Sequence, residues 1–261
     1  MSASALDRLV AVLDRHGSLA LAVSGGQDSM TLAHVAHRFA ATKPTLFHAV
    51  SPAVPASARE RLERHAAAHA WNLVLLDAGE LGDPRYVANP LNRCYFCKSN
   101  LYERIRAATD AVIASGTNTD DLGDFRPGLE AAAERGVVHP YVEAGIGKAG
   151  ITGLARALGL DDLAALPAQP CLASRIETGL AVTEEDLRFI GAIEAELAGL
   201  LGPSAVLRCR VTHDGAVIEL GSSLLDRSPE VAARAAAACA VAGRRFLGVR
   251  PYRRGSAFLR G

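Results

Sequence analysis

The sequence predicts an α/β fold, a parallel sheet covered by helices on both faces, followed by a small α+β domain. Two observations carry that prediction. Through about residue 170, short apolar runs alternate with stretches whose apolar residues recur every three or four positions, which is the rhythm of βαβ units. Beyond the proline-bearing segment 161–178 the rhythm changes to helix, hairpin, helix and strand. The division falls at residue 175, giving domains 1–175 and 176–261.

Taken in order, a helix over 6–15 precedes a first strand at 19–23, LALAV, and a helix over 29–40. Further strands are predicted at 45–50, 73–76 and 111–115, with helices over 56–70, 99–109, 127–135 and 148–158 between and after them. Pro167 and Pro170 break the periodicity of 161–178, which reads as a connector or a long functional loop. Thr183 then caps a helix rich in first-turn acids that runs to about residue 201. Strands at 205–212 and 216–220 flank His213-Asp214-Gly215, whose Asp-Gly is a hairpin signal. An alanine-rich helix over 230–242 and a strand at 246–249 complete the second domain.

The 261 residues carry 28 basic and 28 acidic side chains, so the formal net charge is zero. A polyanion-coating protein is more basic than this, and nucleic acid is disfavoured as a partner. With 49% hydrophobic residues, 24 Gly and 12 Pro, the composition is ordinary for a globular chain and excludes disorder and coiled coil. No apolar run reaches the length of about 18 residues that a membrane helix needs, and the N-terminus lacks the basic head and apolar core of a signal peptide. The expectation is a cytoplasmic protein with no membrane partner, and a homo-oligomer is left open.

The sharpest motif is Ser24-Gly25-Gly26-Gln27-Asp28-Ser29, between the first strand and its helix. Glycines there let successive N–H groups point inward, and the helix N-terminus adds positive charge, so the loop is built for an anion such as phosphate. It lacks the lysine of a Walker loop. A plain Gly-Gly turn into a helix is the bland alternative.

A second cluster, GTNTDDLGD at 116–124, follows the strand at 111–115. Loops at the carboxyl ends of parallel strands line one crevice, so these carboxylates should face the glycine-rich loop, and oxygen ligands beside phosphates suit Mg²⁺. Asn118 is the candidate nucleotide contact and Asp121 the candidate Mg²⁺ ligand, although the sequence does not separate one acid from another. The run also reads as a solvated turn or helix cap.

Five cysteines, an odd number, in a chain with no export signal argue against a disulfide framework. Cys94 and Cys97 form Cys-x-x-Cys, and Cys171 lies in PCLASR. Three thiolates are too few for a closed structural zinc site, but on a [4Fe–4S] cluster they leave one iron free for an exogenous sulfide. From the residues alone, cluster chemistry and thiol/disulfide chemistry stand level. Cys209 alternates with Arg208 and Arg210 on a strand and reads as core, and Cys239 lies on an alanine-rich helix where a buried thiol is the default. Arg208 and Arg210 are either a solvated face or an anion-binding pair for a substrate phosphate or carboxylate, and Arg175 divides the same way.

LAVSGGQDS, NPLNRCYFCK, GTNTDDLGDFRPG, PCLASRI and TEEDL, in that order, resemble the LarE family of PP-loop proteins. These are ATP-dependent pyridinium-3,5-biscarboxylic acid mononucleotide sulfurtransferases that help build the nickel-pincer nucleotide cofactor. The resemblance implies a PP-loop ATP pyrophosphatase domain with a small C-terminal domain. It implies that ATP adenylates a substrate carboxylate, that pyrophosphate leaves, and that sulfur then displaces AMP. It assigns Ser24, Gly25, Gly26, Asp28 and Ser29 to the pyrophosphate end of ATP, leaves Gln27 at a variable position, and makes Cys171 the sulfur-handling residue, with Asp28 catalytic beside it. Members with that cysteine alone resemble sacrificial sulfur donors, whereas members that also have Cys-x-x-Cys resemble cluster enzymes. This chain therefore looks like the cluster type, with Cys94, Cys97 and Cys171 as ligands and sulfide or another sulfur donor as co-substrate. The rival readings are a sacrificial Cys171, a PP-loop tRNA thiolase, and a non-catalytic nucleotide-binding or redox module.

Overall fold

The computed structural model describes residues 4–123, 126–202 and 205–253. The chain divides into two compact units, Met1–Glu80 with Asn92–Gln169, and Leu81–Leu91 with Pro170–Gly261.

The first unit opens with α1 (Ala5–His16), held at its start by a reciprocal capping box between Ser4 and Asp7. There follow β1 (Leu19–Ala22), α2 (Gln27–Phe39), β2 (Thr45–Ala49), α3 (Ala56–His69) and β3 (Asn72–Leu76). After α4 (Pro84–Val87), which belongs to the second unit, come α5 (Arg93–Ala108), β4 (Val112–Ser115), α6 (Pro127–Glu134), α7 (Pro140–Glu143), α8 (Lys148–Ala157) and α9 (Asp161–Ala164). The four strands are parallel in the order β3-β2-β1-β4. Their side chains alternate between two cores. Leu19, Leu21, Leu46 and Ala114 pack with Leu9, Leu13, Met30 and Ile151, while Ala20, Phe47 and Ile113 pack with Leu101, Tyr102, Ile105 and Ala132. Burial on both faces is why β1 and β4 read as short apolar runs, whereas the edge strand β3 leaves Leu75 exposed. The order places a topological switch between β1 and β4, and the crevice outside the carboxyl ends of those two strands is where such sheets bind ligands.

In the second unit, Thr183 accepts a hydrogen bond from the Asp186 N–H and starts α10 (Glu184–Leu201). β5 (Leu207–Thr212) and β6 (Gly215–Leu220) form an antiparallel hairpin, α11 (Ser228–Val241) follows, and β7 (Phe246–Pro251) pairs parallel to β6. The core is Leu187, Ile190, Ile193 and Leu197 against Cys209, Val211, Ile218 and Leu220, with Val231, Ala235 and Cys239 of α11. The loop residues are His213 and Asp214, and the positive φ falls at Gly215, where a Cβ would collide with the Arg245 carbonyl oxygen.

Three departures from the sequence reading have local causes. α5 begins at Arg93 rather than 99, because its first turns carry polar and cysteine side chains in place of an apolar stripe. Segment 161–178 is not a plain connector, since it contains α9 and a 3-10 turn at Leu172–Arg175. α4 and α7 are single turns that begin with Pro84 and Pro140, too short for any periodicity to register. No helix among the described residues is long and apolar enough to cross a membrane.

Candidate functional site

At the β1–α2 turn, Gly25 has φ 79°, and a Cβ there would run into the carbonyl oxygen of Ala58 on α3. Only glycine satisfies both conditions. The Gly25 carbonyl accepts a 2.6 Å hydrogen bond from Nη1 of the buried Arg61, so α3 seats the loop. Ser24 and Ser29 close it: the Ser24 N–H donates to Ser29 Oγ at 3.1 Å, and Ser29 Oγ donates to the Gly26 carbonyl at 3.2 Å. Gly26 occupies the N-cap of α2 and supplies no side-chain cap, so the first-turn amides have no capping side chain, an arrangement that suits an anion. Gln27 is buried, donating to the Ala164 carbonyl and accepting from Thr152 Oγ1, so the variable position of the motif anchors the loop to α8 and α9.

The loop after β4 meets this turn. Gly116 packs so closely that a Cβ would lie 2.8 Å from the Ser29 nitrogen. Buried Asn118 donates through Nδ2 to Asp28 Oδ2 at 3.4 Å and accepts the Asp120 N–H on Oδ1 at 3.0 Å. Lys148, the first residue of α8, places Nζ 2.5 Å from Asp28 Oδ1, while its backbone N–H donates to Asp120 Oδ2. Tyr141 is buried and donates its hydroxyl to the Asp28 carbonyl, and burial raises its pKa well above the ordinary phenol value, so it remains a donor. Asp28, Asn118 and Lys148 thus meet at one point between the two loops. Asp121 caps the turn by accepting the Asn118 N–H at 3.1 Å and pairs with Arg126 at 2.7 Å, so both its oxygens are engaged within the protein. Asp124 lies outside the described residues.

Beside the glycine-rich loop, at the carboxyl end of β2, a pocket of about 200 Å³ is lined by His48, Val50, Ser51, Val54, Ala56 and Arg59. Burial holds the His48 pKa below its ordinary value, and the neutral ring's Nδ1–H donates to the Val23 carbonyl at 2.8 Å.

The cysteines divide by exposure. Cys94 is exposed and Cys97 half-buried near the start of α5, three residues apart and so on one face. Cys171 is half-buried in the second unit, at the N-cap of the 3-10 turn. Buried Arg175 holds that turn. Its Nη1 donates to the carbonyls of Pro170 at 2.6 Å and Cys171 at 3.0 Å, and Nε with Nη2 forms a two-pronged pair to Glu194 at 3.0 Å each. Glu194 also accepts the Cys209 N–H. Cys209 and Cys239 are buried, as alternation and the helical setting require, and burial pushes both thiols up in pKa, away from reactivity. Arg210 is buried and paired with Glu219 at 2.8 Å, its Nη1 donating to the Ser174 carbonyl. Arg208 is half-buried, its guanidinium stacked 5.6 Å from the Tyr252 ring centre. Sequence reading missed Lys148, Tyr141, Arg61 and Glu194. A Gly-Lys opening a helix was the available signal for Lys148, and the other three had none.

No protein-family model matches the chain. It is 38% identical to an uncharacterized protein of Synechocystis sp. over 187 residues, 69% of this chain and 68% of that protein. An uncharacterized protein of Methanocaldococcus jannaschii is 31% identical over 144 residues, 54% of this chain and 55% of its own. The pyridinium-3,5-bisthiocarboxylic acid mononucleotide synthase of Lactiplantibacillus plantarum is also 31% identical over 144 residues, 54% of this chain and 51% of its own. The chain thus spans about two thirds of the first relative and about half of the other two.

Proposed function

We propose that the chain belongs to the LarE family and is an ATP-dependent sulfurtransferase acting on pyridinium-3,5-biscarboxylic acid mononucleotide, as its similarity to the mononucleotide synthase suggests. The observation that carries the reading is the meeting of Asp28, Asn118 and Lys148 at the β1/β4 switch point, beside an uncapped helix N-terminus. A carboxylate is a poor electrophile, so sulfur can replace its oxygen only after activation. Here the substrate carboxylate attacks the α-phosphorus of ATP and pyrophosphate departs. First-turn amides of α2 and the Lys148 ammonium meet the charge that gathers on the departing phosphates. Asp28 and Asn118 hold Lys148 and the loop in register. Mg²⁺ would accompany the nucleotide, with Asp28 as the candidate carboxylate, since both Asp121 oxygens are engaged within the protein. Sulfur then displaces AMP to give the thiocarboxylate.

By donor chemistry alone, the thiols of Cys94, Cys97 and Cys171 would be the protein ligands of an iron–sulfur cluster. Such a cluster would supply a transferable sulfide to the activated carboxylate. Arg175 fixes the Cys171 turn, and Arg208 is the candidate for a substrate anion, Arg210 being paired with Glu219.

The test is anaerobic purification with iron and sulfide analysis, followed by incubation with the mononucleotide, ATP and Mg²⁺. About four irons per chain, lost in Cys94→Ala, Cys97→Ala and Cys171→Ala, together with pyrophosphate release and a product in which sulfur replaces oxygen, is the expected outcome. No iron with activity that depends on Cys171 alone would leave the sacrificial reading in its place. An unchanged mononucleotide beside thiolated tRNA would hand the case to the tRNA thiolase.

A further inference from the structure

Away from the cysteines, three histidines of the first unit come together where α2 and α3 pack. His65 and His69 are four residues apart on α3 and so share a face, and His34 meets them from α2. One ring nitrogen from each lies within 4.8 Å of the other two. His34 Nε2 is 2.9 Å from His65 Nδ1, and His65 Nε2 is 2.9 Å from Asp162 Oδ2. An ionised carboxylate only accepts, so the His65 proton sits on Nε2 and its Nδ1 lone pair faces His34. His34 is fully buried, and its Nδ1 has no hydrogen-bond partner among the described residues.

We propose that His34, His65 and His69 form a binding site for one divalent transition-metal ion of the zinc class, with Asp162 orienting His65 from behind. A carboxylate behind a ligating histidine fixes its tautomer and raises its basicity, which is the part Asp162 plays. Three imidazoles select zinc, cobalt, nickel or copper over magnesium or calcium, and leave a fourth position open. Burial, with neighbouring His65 and Arg38, lowers the His34 pKa to about 3, and burial with Arg38 lowers that of His69, both in the direction that favours the neutral ring a metal needs. Binding through His34 Nε2 requires that its proton move to Nδ1.

The placement gives the ion a purpose. α3 seats the glycine-rich loop through Ala58 and Arg61, and α2 begins at that loop. An ion bridging His34 to His65 and His69 ties the two helices together beyond the loop they support.

The experiment uses the full chain with Cys94→Ser, Cys97→Ser and Cys171→Ser, so that thiols cannot supply ligands, titrated with Co²⁺. The expected result is one equivalent bound, with visible ligand-field absorption, no sulfur-to-cobalt charge-transfer band, and a raised Tm. His69→Ala, at a half-buried position the fold tolerates, and Asp162→Asn should each weaken binding roughly tenfold or more. They keep the test decisive if His34→Gln fails to fold. Absence of cobalt binding in this triple-cysteine variant, or an affinity unchanged in His69→Ala, overturns the proposal.

Discussion

Two cations, Lys148 and Arg175, are placed so differently that their removal should fail in different ways. The Lys148–Asp28 pair is half open to water, its lysine 46% exposed, so it contributes little to stability. Lys148→Ala should leave the urea midpoint equivalent to within about 1 kcal/mol while pyrophosphate release falls by roughly 10²-fold. A variant that loses stability instead would make Lys148 structural. Arg175 is 2% exposed and binds both Glu194 oxygens and two carbonyls of the Cys171 turn. Removing one partner of such a buried pair leaves the other charge stranded, and Arg175→Met should cost about 3 kcal/mol in denaturant titration. Arg175→Lys keeps the charge but cannot form the two-pronged contact. It should retain ATP-dependent pyrophosphate release, whose groups lie in the first unit, and lose formation of the thiocarboxylate, measured by mass spectrometry of the product. Equal loss of both steps would count against a role for Arg175 in positioning Cys171.

At the scale of elements, the β1–α2 turn is the most constrained. Gly25→Ala adds a Cβ in the left-handed region and drives it against the Ala58 backbone, which cannot yield as a side chain would. The expected cost is about 2 kcal/mol, and protection by ATP against thermal unfolding should disappear. Normal ATP protection in Gly25→Ala would show that the turn does not hold phosphate. This turn was legible in the sequence because its chemistry is local: a buried strand, two glycines and a helix start are neighbours along the chain. The same holds for the four parallel strands and for the Thr183 cap of α10. What could not be read depends on partners far apart in sequence. Lys148 reaches Asp28 across 120 positions, and Arg175 meets Glu194 nineteen residues on. Arg210 sits opposite Val217 and reaches Glu219 diagonally, so alternation alone gave the face of the strand but not the ion pair that occupies it. The histidine cluster joins two helices, and neither helix announces it alone.

At the scale of the whole molecule, the zero net charge of the sequence has a structural counterpart. Several arginines are matched by acids within their own unit: Arg15 with Glu143, Arg135 with Glu103, Arg210 and Arg250 with Glu219, and Arg244 with Asp186. A tRNA-binding enzyme neutralises many phosphates at once and releases their counterions, so its affinity falls by about 10³-fold or more between 50 and 200 mM salt. A mononucleotide presents a single phosphate and so releases few counterions. The KM for the mononucleotide should therefore change by less than about tenfold over that range, and filter binding should detect no salt-sensitive tRNA complex. Steep salt dependence accompanied by tRNA retention would mean that the paired arginines exchange their carboxylate partners for phosphates, and the substrate would then have to be sought among nucleic acids.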